Sequence, residues 1–146
     1  MHKVLFVCIH NSARSQMAEA FLNKHGNGQF EADSAGIEPG KLNPNVVKVM
    51  QEAGIDLSRK GTQGVFDVIR QGKSYNAVIT VCDAASAERC PIFPGMVKRI
   101  AWSFEDPSAF KGSPEEILKH TRKVRDEIEK AVLEFIKEAG MVSYWI

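Results

Sequence analysis

The stretch that decides the fold is Val4-Leu5-Phe6-Val7-Cys8-Ile9-His10-Asn11-Ser12-Ala13-Arg14-Ser15. Its first four residues form an unbroken apolar run, which is typical of a buried strand. A short polar turn follows, and beyond it apolar residues recur four apart, at Met17 and Phe21 and at Ala18 and Leu22. The stretch therefore predicts a buried strand, a tight loop and a helix, with a cysteine at the end of the strand.

The segment from Cys8 to Arg14 has the composition of an oxyanion-binding loop. Backbone N–H groups at a helix N-terminus converge on one point, and the helix dipole adds positive potential there. Arg14 can hold a tetrahedral oxyanion through two parallel hydrogen bonds, and Asn11 tolerates a left-handed backbone. The same field favours the thiolate of Cys8, to which Ser15 can donate a hydrogen bond. The alternative is a buried cysteine followed by an unrelated surface arginine. We call the seven residues the oxyanion loop: Cys8, Ile9, His10, Asn11, Ser12, Ala13 and Arg14.

Length and composition favour one globular domain spanning residues 1–146. Apolar residues make up 44% and charged residues 25% of the chain, and the net charge is +1. These values and the interspersed charges indicate neither a nucleic-acid-binding patch nor a membrane surface. The N-terminus does not resemble a signal peptide, and three cysteines cannot close a disulfide framework. We expect a monomer in the reducing cytoplasm, where cysteines tend to be catalytic or metal-binding.

Strand patterns alternate with helix patterns along the chain. Strands are predicted at residues 4–7, 30–36, 77–81 and 97–102, and helices after Asn43-Pro44 and after Ser113-Pro114, where proline follows an N-cap residue. A short helix through Phe66 and Ile69 and another over 84–89 are also expected, whereas the apolar tail 141–146 has no assignment. This alternation predicts an α/β fold with an open parallel sheet and helices on both faces. The last helix should present one apolar face, formed by Ile117, Thr121, Val124, Ile128, Ala131 and Phe135.

Further chemistry-bearing residues follow the third and fourth strands. Asp106-Pro107 can supply a general acid or simply start a turn, and Glu105 competes for the acidic role. Cys82 and Cys90 are separated by seven residues, a spacing that does not match structural zinc sites. The pair can be two buried apolar thiols or partners in disulfide exchange with Cys8.

The sequence resembles thioredoxin-coupled arsenate reductases, which share the fold of low-molecular-weight tyrosine phosphatases. The resemblance runs from Val4 to about Phe135 and is carried by Cys8 to Ala20, Ser34-Ala35-Gly36, Cys82, Cys90-Pro91 and Asp106-Pro107. It implies a four-stranded parallel sheet in the order 2-1-3-4. It also implies arsenate as substrate, phosphate and sulfate as similar ligands, thioredoxin as partner, and no cofactor.

The resemblance implies a role for each matching residue. Cys8 would attack arsenate held by the loop and Arg14, assisted by Ser15, while Asp106 protonates the departing oxygen. Cys82 would then attack Cys8, which releases arsenite, and Cys90 would move the disulfide to Cys82–Cys90 for reduction by thioredoxin. The spacing from Cys82 to Cys90 is one residue longer than in the family pattern.

Some members of the family bind potassium, and this chain departs from their pattern. The matching residues are Asn11, Glu19 and Ser34, but Gly64 stands where those members have an aspartate, and Asp67 is displaced. We therefore expect no metal site, the alternative being a weak potassium site at Asn11, Glu19 and Ser34.

Two other functions remain open from the sequence. A tyrosine phosphatase would use Cys8, Arg14 and Asp106 alone, and weak phosphatase activity is expected in either case. Such phosphatases carry aromatic residues after the Asp-Pro pair, where this chain has Ser108-Ala109. A non-enzymatic oxyanion-binding or redox-sensing module would show a reactive Cys8 without turnover.

Overall fold

A four-stranded sheet forms the centre of the molecule in the computed structural model, which describes residues 1–82 and 97–145. The strands are β1 (His2–Cys8), β2 (Phe30–Gly36), β3 (Ala77–Thr80) and β4 (Lys98–Ala101). All neighbouring pairs are parallel, and the strand order is β2-β1-β3-β4. The predicted fold class and strand order are therefore confirmed.

Helices cover both faces of the sheet. They are α1 (Arg14–His25), α2 (Pro44–Glu52), α3 (Val65–Arg70) and α4 (Pro114–Ala139), with 3-10 turns at Pro107–Ala109 and Val142–Trp145. Side chains alternate along β1, so that Val4, Phe6 and Cys8 join the core beneath α1, α2 and α4. Leu5 and Val7 join a second core beneath α3.

The two predicted N-caps are both present. Asn43 Oδ1 accepts a hydrogen bond from the backbone N–H of Asn45 at 2.8 Å, and Pro44 occupies the first turn of α2. Ser113 Oγ accepts from Glu116 N at 3.2 Å at the start of α4. These side chains bind N–H groups that have no partner inside the helix.

The short helix predicted through Phe66 and Ile69 is present, with a buried face that the sequence did not assign, and the last helix differs in part from its predicted face. In α3, the buried residues are Val65 and Val68, whereas Phe66 is 49% exposed. A six-residue helix with apolar residues on every side carries no periodic signal that selects one face. In α4, Val132 is buried where Ala131 was expected, because the apolar stripe drifts around a 26-residue helix.

The C-terminal tail packs against the start of the sheet. The Trp145 ring stacks on His2 with 4.2 Å between centroids, and Trp145 Nε1 donates to Ala139 O at 2.9 Å. Lys98 Nζ donates to Tyr144 O at 2.9 Å and lies 3.7 Å from the centre of that ring. Tyr144 and Trp145, in the tail that the sequence left unassigned, are thus part of the packed structure.

The opposite edge, where the strands end, carries the candidate chemistry. Val81 N donates to Val7 O at 2.9 Å, so β1 and β3 end side by side. Cys8 ends β1, and Cys82 follows β3 by two residues. Cys90 and the helix predicted over 84–89 lie outside the described residues. Within residues 1–82 and 97–145, no helix is long and apolar enough to span a membrane.

Candidate active site

The oxyanion loop links β1 to α1, and the carbonyl oxygens of its first six residues all accept hydrogen bonds. The carbonyls of Cys8, Ile9, His10 and Ser12 accept from backbone N–H groups at positions 37, 38, 40 and 43, over 2.7–3.1 Å. Gln16 Nε2 donates a hydrogen bond to the carbonyl of Asn11 at 3.1 Å, and Met17 N, in the first turn of α1, donates one to the carbonyl of Ala13. With these carbonyls hydrogen-bonded, the loop can direct N–H groups inward toward an anion.

Gly36, the last residue of β2, is the point of closest approach to this loop. A Cβ atom at position 36 would lie 2.8 Å from Asn11 N, from His10 C and from Ile9 O. All three are backbone atoms, so they cannot move aside without deforming the loop. Only glycine fits here, which gives a physical reason for the Ser34-Ala35-Gly36 segment beside the loop.

The candidate nucleophile Cys8 is 2% exposed and lies inside the loop. Its Sγ is 2.8 Å from Ser15 Oγ and accepts from Asn11 N at 3.1 Å. Ser15 Oγ itself accepts from Asn11 Nδ2 at 2.9 Å, so the hydroxyl proton is available to the sulfur. The Ser15 hydroxyl and the Asn11 N–H therefore both lie within hydrogen-bond distance of Sγ, next to the N-terminus of α1.

Asn11 holds the loop in shape. Its φ angle is 55°, in the left-handed region, as the sequence predicted. Its Nδ2 group donates to Ser15 Oγ and to Ser34 Oγ, both at 2.9 Å, and its Oδ1 accepts from Gln63 N at 3.0 Å and Gln16 Nε2 at 3.2 Å. One fully buried side chain therefore connects the loop to α1, β2 and the segment before α3.

Arg14 and Asp106 face each other at the mouth of the loop. Arg14 is 6% exposed, and its Nη1 donates to Phe104 O at 3.2 Å. Its Nη2 lies 3.6 Å from Asp106 Oδ2. Asp106 Oδ1 accepts from Ser108 N at 3.0 Å, which is the turn geometry that the sequence offered as the alternative role. Glu105 is exposed, so the geometry favours Asp106 as the acidic residue nearest the loop.

Cys82 is buried in the same apolar cluster as Cys8. It is 3% exposed, and both sulfur-bearing side chains belong to the core beneath α1, α2 and α4. Since β1 and β3 are neighbours in the sheet, Cys8 at the end of β1 and Cys82 two residues beyond β3 lie at the same end of the sheet. Cys82 therefore lies at the carboxyl end of the sheet, where the sequence placed it.

The residues that match the potassium site of some relatives do not fit a bound cation here. Ser34 Oγ donates to Glu19 Oε1 at 3.0 Å, and Lys60 Nζ lies 3.0 Å from Glu19 Oε2. The Lys60 ammonium thus already provides the positive charge beside Glu19, while Gly64 offers no side-chain oxygen. Burial raises the pKa of Glu19, and Lys60 counters that shift in part. Within residues 1–82 and 97–145, no group of three or more His, Cys, Asp or Glu residues is placed so that it could hold a metal ion.

Several residues whose hydrogen bonds hold the oxyanion loop and its neighbouring segments in place were not identified from the sequence. Gln16 is fully buried and donates to Gly61 O at 2.9 Å as well as to Asn11, and Gln63 Nε2 donates to Ser34 O at 2.9 Å. Their partners are up to 45 residues away in the chain, so no local pattern reveals them. His10, by contrast, is exposed, with Nδ1 2.8 Å from Glu38 O.

The chain matches known proteins over nearly its whole length. The family model for low molecular weight phosphotyrosine protein phosphatase matches residues 3–141. The chain belongs to this family. Within it, an arsenate reductase of Bacillus licheniformis is 44% identical over 134 residues, which cover 90% of this chain and 93% of that relative.

Solved structures of this family share the fold. An arsenate reductase from Archaeoglobus fulgidus superposes with a TM-score of 0.74 at 31% identity, over 92% of this chain and 99% of that one. A thioredoxin-dependent arsenate reductase from Corynebacterium glutamicum gives a TM-score of 0.62 at 28% identity, over 92% of this chain and 63% of that one. The chain is therefore a member of the phosphatase family with arsenate reductases among its relatives.

Proposed function

We propose that this protein reduces arsenate to arsenite, with Cys8 as the nucleophile and thioredoxin as the final reductant. The observation that carries this proposal is the burial of Cys82 in the same cluster as Cys8, at the same end of the sheet. A phosphatase of this fold needs one cysteine at this edge, whereas a reductase needs a second thiol to accept the first sulfur in a disulfide. The names of the similar proteins point the same way.

In the first step, the Cys8 thiolate attacks arsenic while the oxyanion loop and Arg14 hold the remaining oxygens. A sulfur–arsenic bond forms, and one oxygen leaves as water with a proton from Asp106. The product is a thiol adduct that still contains arsenic(V). This is nucleophilic catalysis assisted by a general acid and by preorganised donors.

In the second step, Cys82 attacks Cys8 Sγ. A Cys8–Cys82 disulfide forms, the sulfur–arsenic bond breaks, and its electron pair leaves with arsenic, which departs as arsenite. Cys90 then attacks Cys82 and frees the Cys8 thiolate, and the dithiol of thioredoxin reduces the Cys82–Cys90 disulfide. Two electrons pass from thioredoxin to arsenic in each turnover. A reducing compartment such as the cytoplasm fits this requirement.

Arsenite release with thioredoxin, thioredoxin reductase and NADPH tests the proposal. Cys82→Ser should retain phosphate binding and release no arsenite, because nothing attacks the Cys8 adduct. Cys90→Ser should release about one arsenite per enzyme and stop as a Cys8–Cys82 disulfide, since each exchange consumes one thiolate. Peptide mapping would identify that disulfide. Multiple turnovers by Cys82→Ser would refute the relay.

A second activity is favoured by the family to which the chain belongs. Phosphate and arsenate share shape and charge, so Cys8, Arg14 and Asp106 would also support slow hydrolysis of aryl phosphates. Cys82→Ser and Cys90→Ser should leave that hydrolysis intact, which separates the two activities in one set of variants. Loss of hydrolysis in both variants would show that the two cysteines shape the site rather than relay electrons.

A further inference from the structure

Asn43 contacts three parts of the site that are distant in the chain. Its backbone N–H donates to Ser12 O in the oxyanion loop at 2.9 Å. Its Oδ1 accepts from Asn45 N at 2.8 Å and caps α2. Its Nδ2 donates to Ser108 Oγ at 3.0 Å, across 65 residues of sequence. The capping bond fixes the orientation of the amide, because only Oδ1 can accept from a backbone N–H.

Ser108 joins this contact to the acidic residue of the site. Its backbone N–H donates to Asp106 Oδ1 at 3.0 Å, in the 3-10 turn that follows Asp106. The other carboxylate oxygen lies 3.6 Å from Arg14 Nη2. The carboxylate is thus held on one side by its own turn and on the other by the arginine of the loop. The hydrogen bond from Asn43 to Ser108 joins that turn directly to the N-terminus of α2.

We propose that Asn43 is a positioning residue for Asp106, and that it acts through Ser108 to hold the acid turn over the oxyanion loop. This inference rests on the proposed function, in which Asp106 donates a proton to the leaving oxygen. Since the backbone N–H of Asn43 binds the loop at Ser12 and its side chain binds Ser108, movements of the loop and of the acid turn are coupled through one residue. Proton donation needs this coupling because the donor must stay within hydrogen-bond reach of the departing oxygen.

The test uses variants that separate capping from positioning. Asn43→Ser keeps an oxygen that caps α2 but is too short to reach Ser108. Ser108→Ala removes the hydroxyl that accepts from Asn43 and leaves the backbone N–H on Asp106. Asn43→Asp keeps the cap, and its second oxygen can accept from the Ser108 hydroxyl, so it is the conservative rescue. The free energy of unfolding in urea should be nearly the same for Asn43→Ser and the unsubstituted protein, which would establish that the cap is intact.

The expected result is a loss in rate without a loss in binding. Asn43→Ser and Ser108→Ala should each slow single-turnover arsenite release by about 3- to 10-fold, the effect of one net hydrogen bond, with the phosphate dissociation constant unchanged. The double variant should be no slower than either single variant, and Asn43→Asp should restore the rate. Added to Asp106→Asn, the Asn43→Ser change should have no further effect. Additive losses, or equal weakening of phosphate binding, would overturn the proposal.

Aryl phosphate hydrolysis distinguishes a failure of this inference from a failure of the reductase proposal. Phenoxide is a poor leaving group that needs a proton, whereas p-nitrophenoxide leaves without one. Asn43→Ser should therefore slow phenyl phosphate hydrolysis more than p-nitrophenyl phosphate hydrolysis, even if the unsubstituted protein releases no arsenite. Equal slowing of the two substrates would show that Asn43 does not act through the acid. Hydrogen exchange at Ser108 N–H should also accelerate in Asn43→Ser, and an unchanged exchange rate would contradict the positioning role.

Discussion

Replacement of Asn11 by alanine should destabilise the protein far more than the same replacement at Asn27. Both asparagines have left-handed backbones, with φ angles of 55° and 49°. Alanine at either position therefore incurs the same conformational cost, about 1 kcal/mol. Asn27 lies in an exposed turn, whereas Asn11 is fully buried within the loop. The difference between the two variants isolates the hydrogen-bonding network of Asn11.

The magnitude follows from the partners of the Asn11 side chain. It donates to Ser15 and Ser34 and accepts from Gln16 and Gln63. At about 0.5–1.5 kcal/mol for each net hydrogen bond, with partial reorientation of the two hydroxyls, the network contributes about 2–4 kcal/mol. Asn11→Ala should thus lower the free energy of unfolding by about 3–5 kcal/mol, and Asn27→Ala by about 1 kcal/mol.

Urea unfolding followed by circular dichroism, without added oxyanion, measures both variants. Asn11→Gly provides a third comparison, because glycine adopts the left-handed conformation without strain. Its free energy of unfolding should be about 1 kcal/mol higher than that of Asn11→Ala. The remaining deficit would be the contribution of the side-chain hydrogen bonds. If Asn11→Ala costs no more than Asn27→Ala, the side-chain network does not stabilise the loop and the reasoning fails.

Three further results are expected. Gly36→Ala should lower the free energy of unfolding by about 1–3 kcal/mol and weaken phosphate binding measured by calorimetry, because its Cβ would meet loop backbone at 2.8 Å. Gly61→Ala is the control, since its Cβ would meet nothing within 4 Å, and it should change neither stability nor phosphate binding. Burial raises the pKa of Glu19 above its ordinary 4.5, so the folded state binds that proton more tightly, and the free energy of unfolding falls as pH rises from 4.5 through the folded-state pKa. Lys60→Met removes the cation that counters this shift, so the fall, measured by urea unfolding from pH 4.5 to 8, should be larger than in the unsubstituted protein, and an equal fall would contradict this role of Lys60. Asp106→Asn should slow arsenite release about 100- to 10,000-fold while phosphate still binds, and unchanged kinetics would exclude Asp106 as the acid.

Local patterns in the sequence determined the elements and the centre of the site. The apolar run of β1, the proline after an N-cap at Asn43 and at Ser113, and the alternation of strands and helices depend on interactions within a few residues. The same holds for the loop from Cys8 to Arg14, since a strand, a turn and a helix N-terminus in succession place backbone donors around the thiol. The position of Cys82 followed from the rule that parallel strands end at one edge.

The tertiary structure alone decided which distant residues support that loop. Gln16, Lys60 and Gln63 bind partners across the core or across long loops, and Asn43 reaches Ser108 over 65 residues. The tertiary structure also shows that the positive charge beside Glu19 comes from Lys60. Side-chain hydrogen bonds have a range of about 3 Å and depend on where separate segments meet in space, which periodicity and spacing along the chain do not encode. Because backbone periodicity is local, the helices and strands can be predicted from the sequence. The contacts between them form only in the folded chain and can be identified only from the tertiary structure.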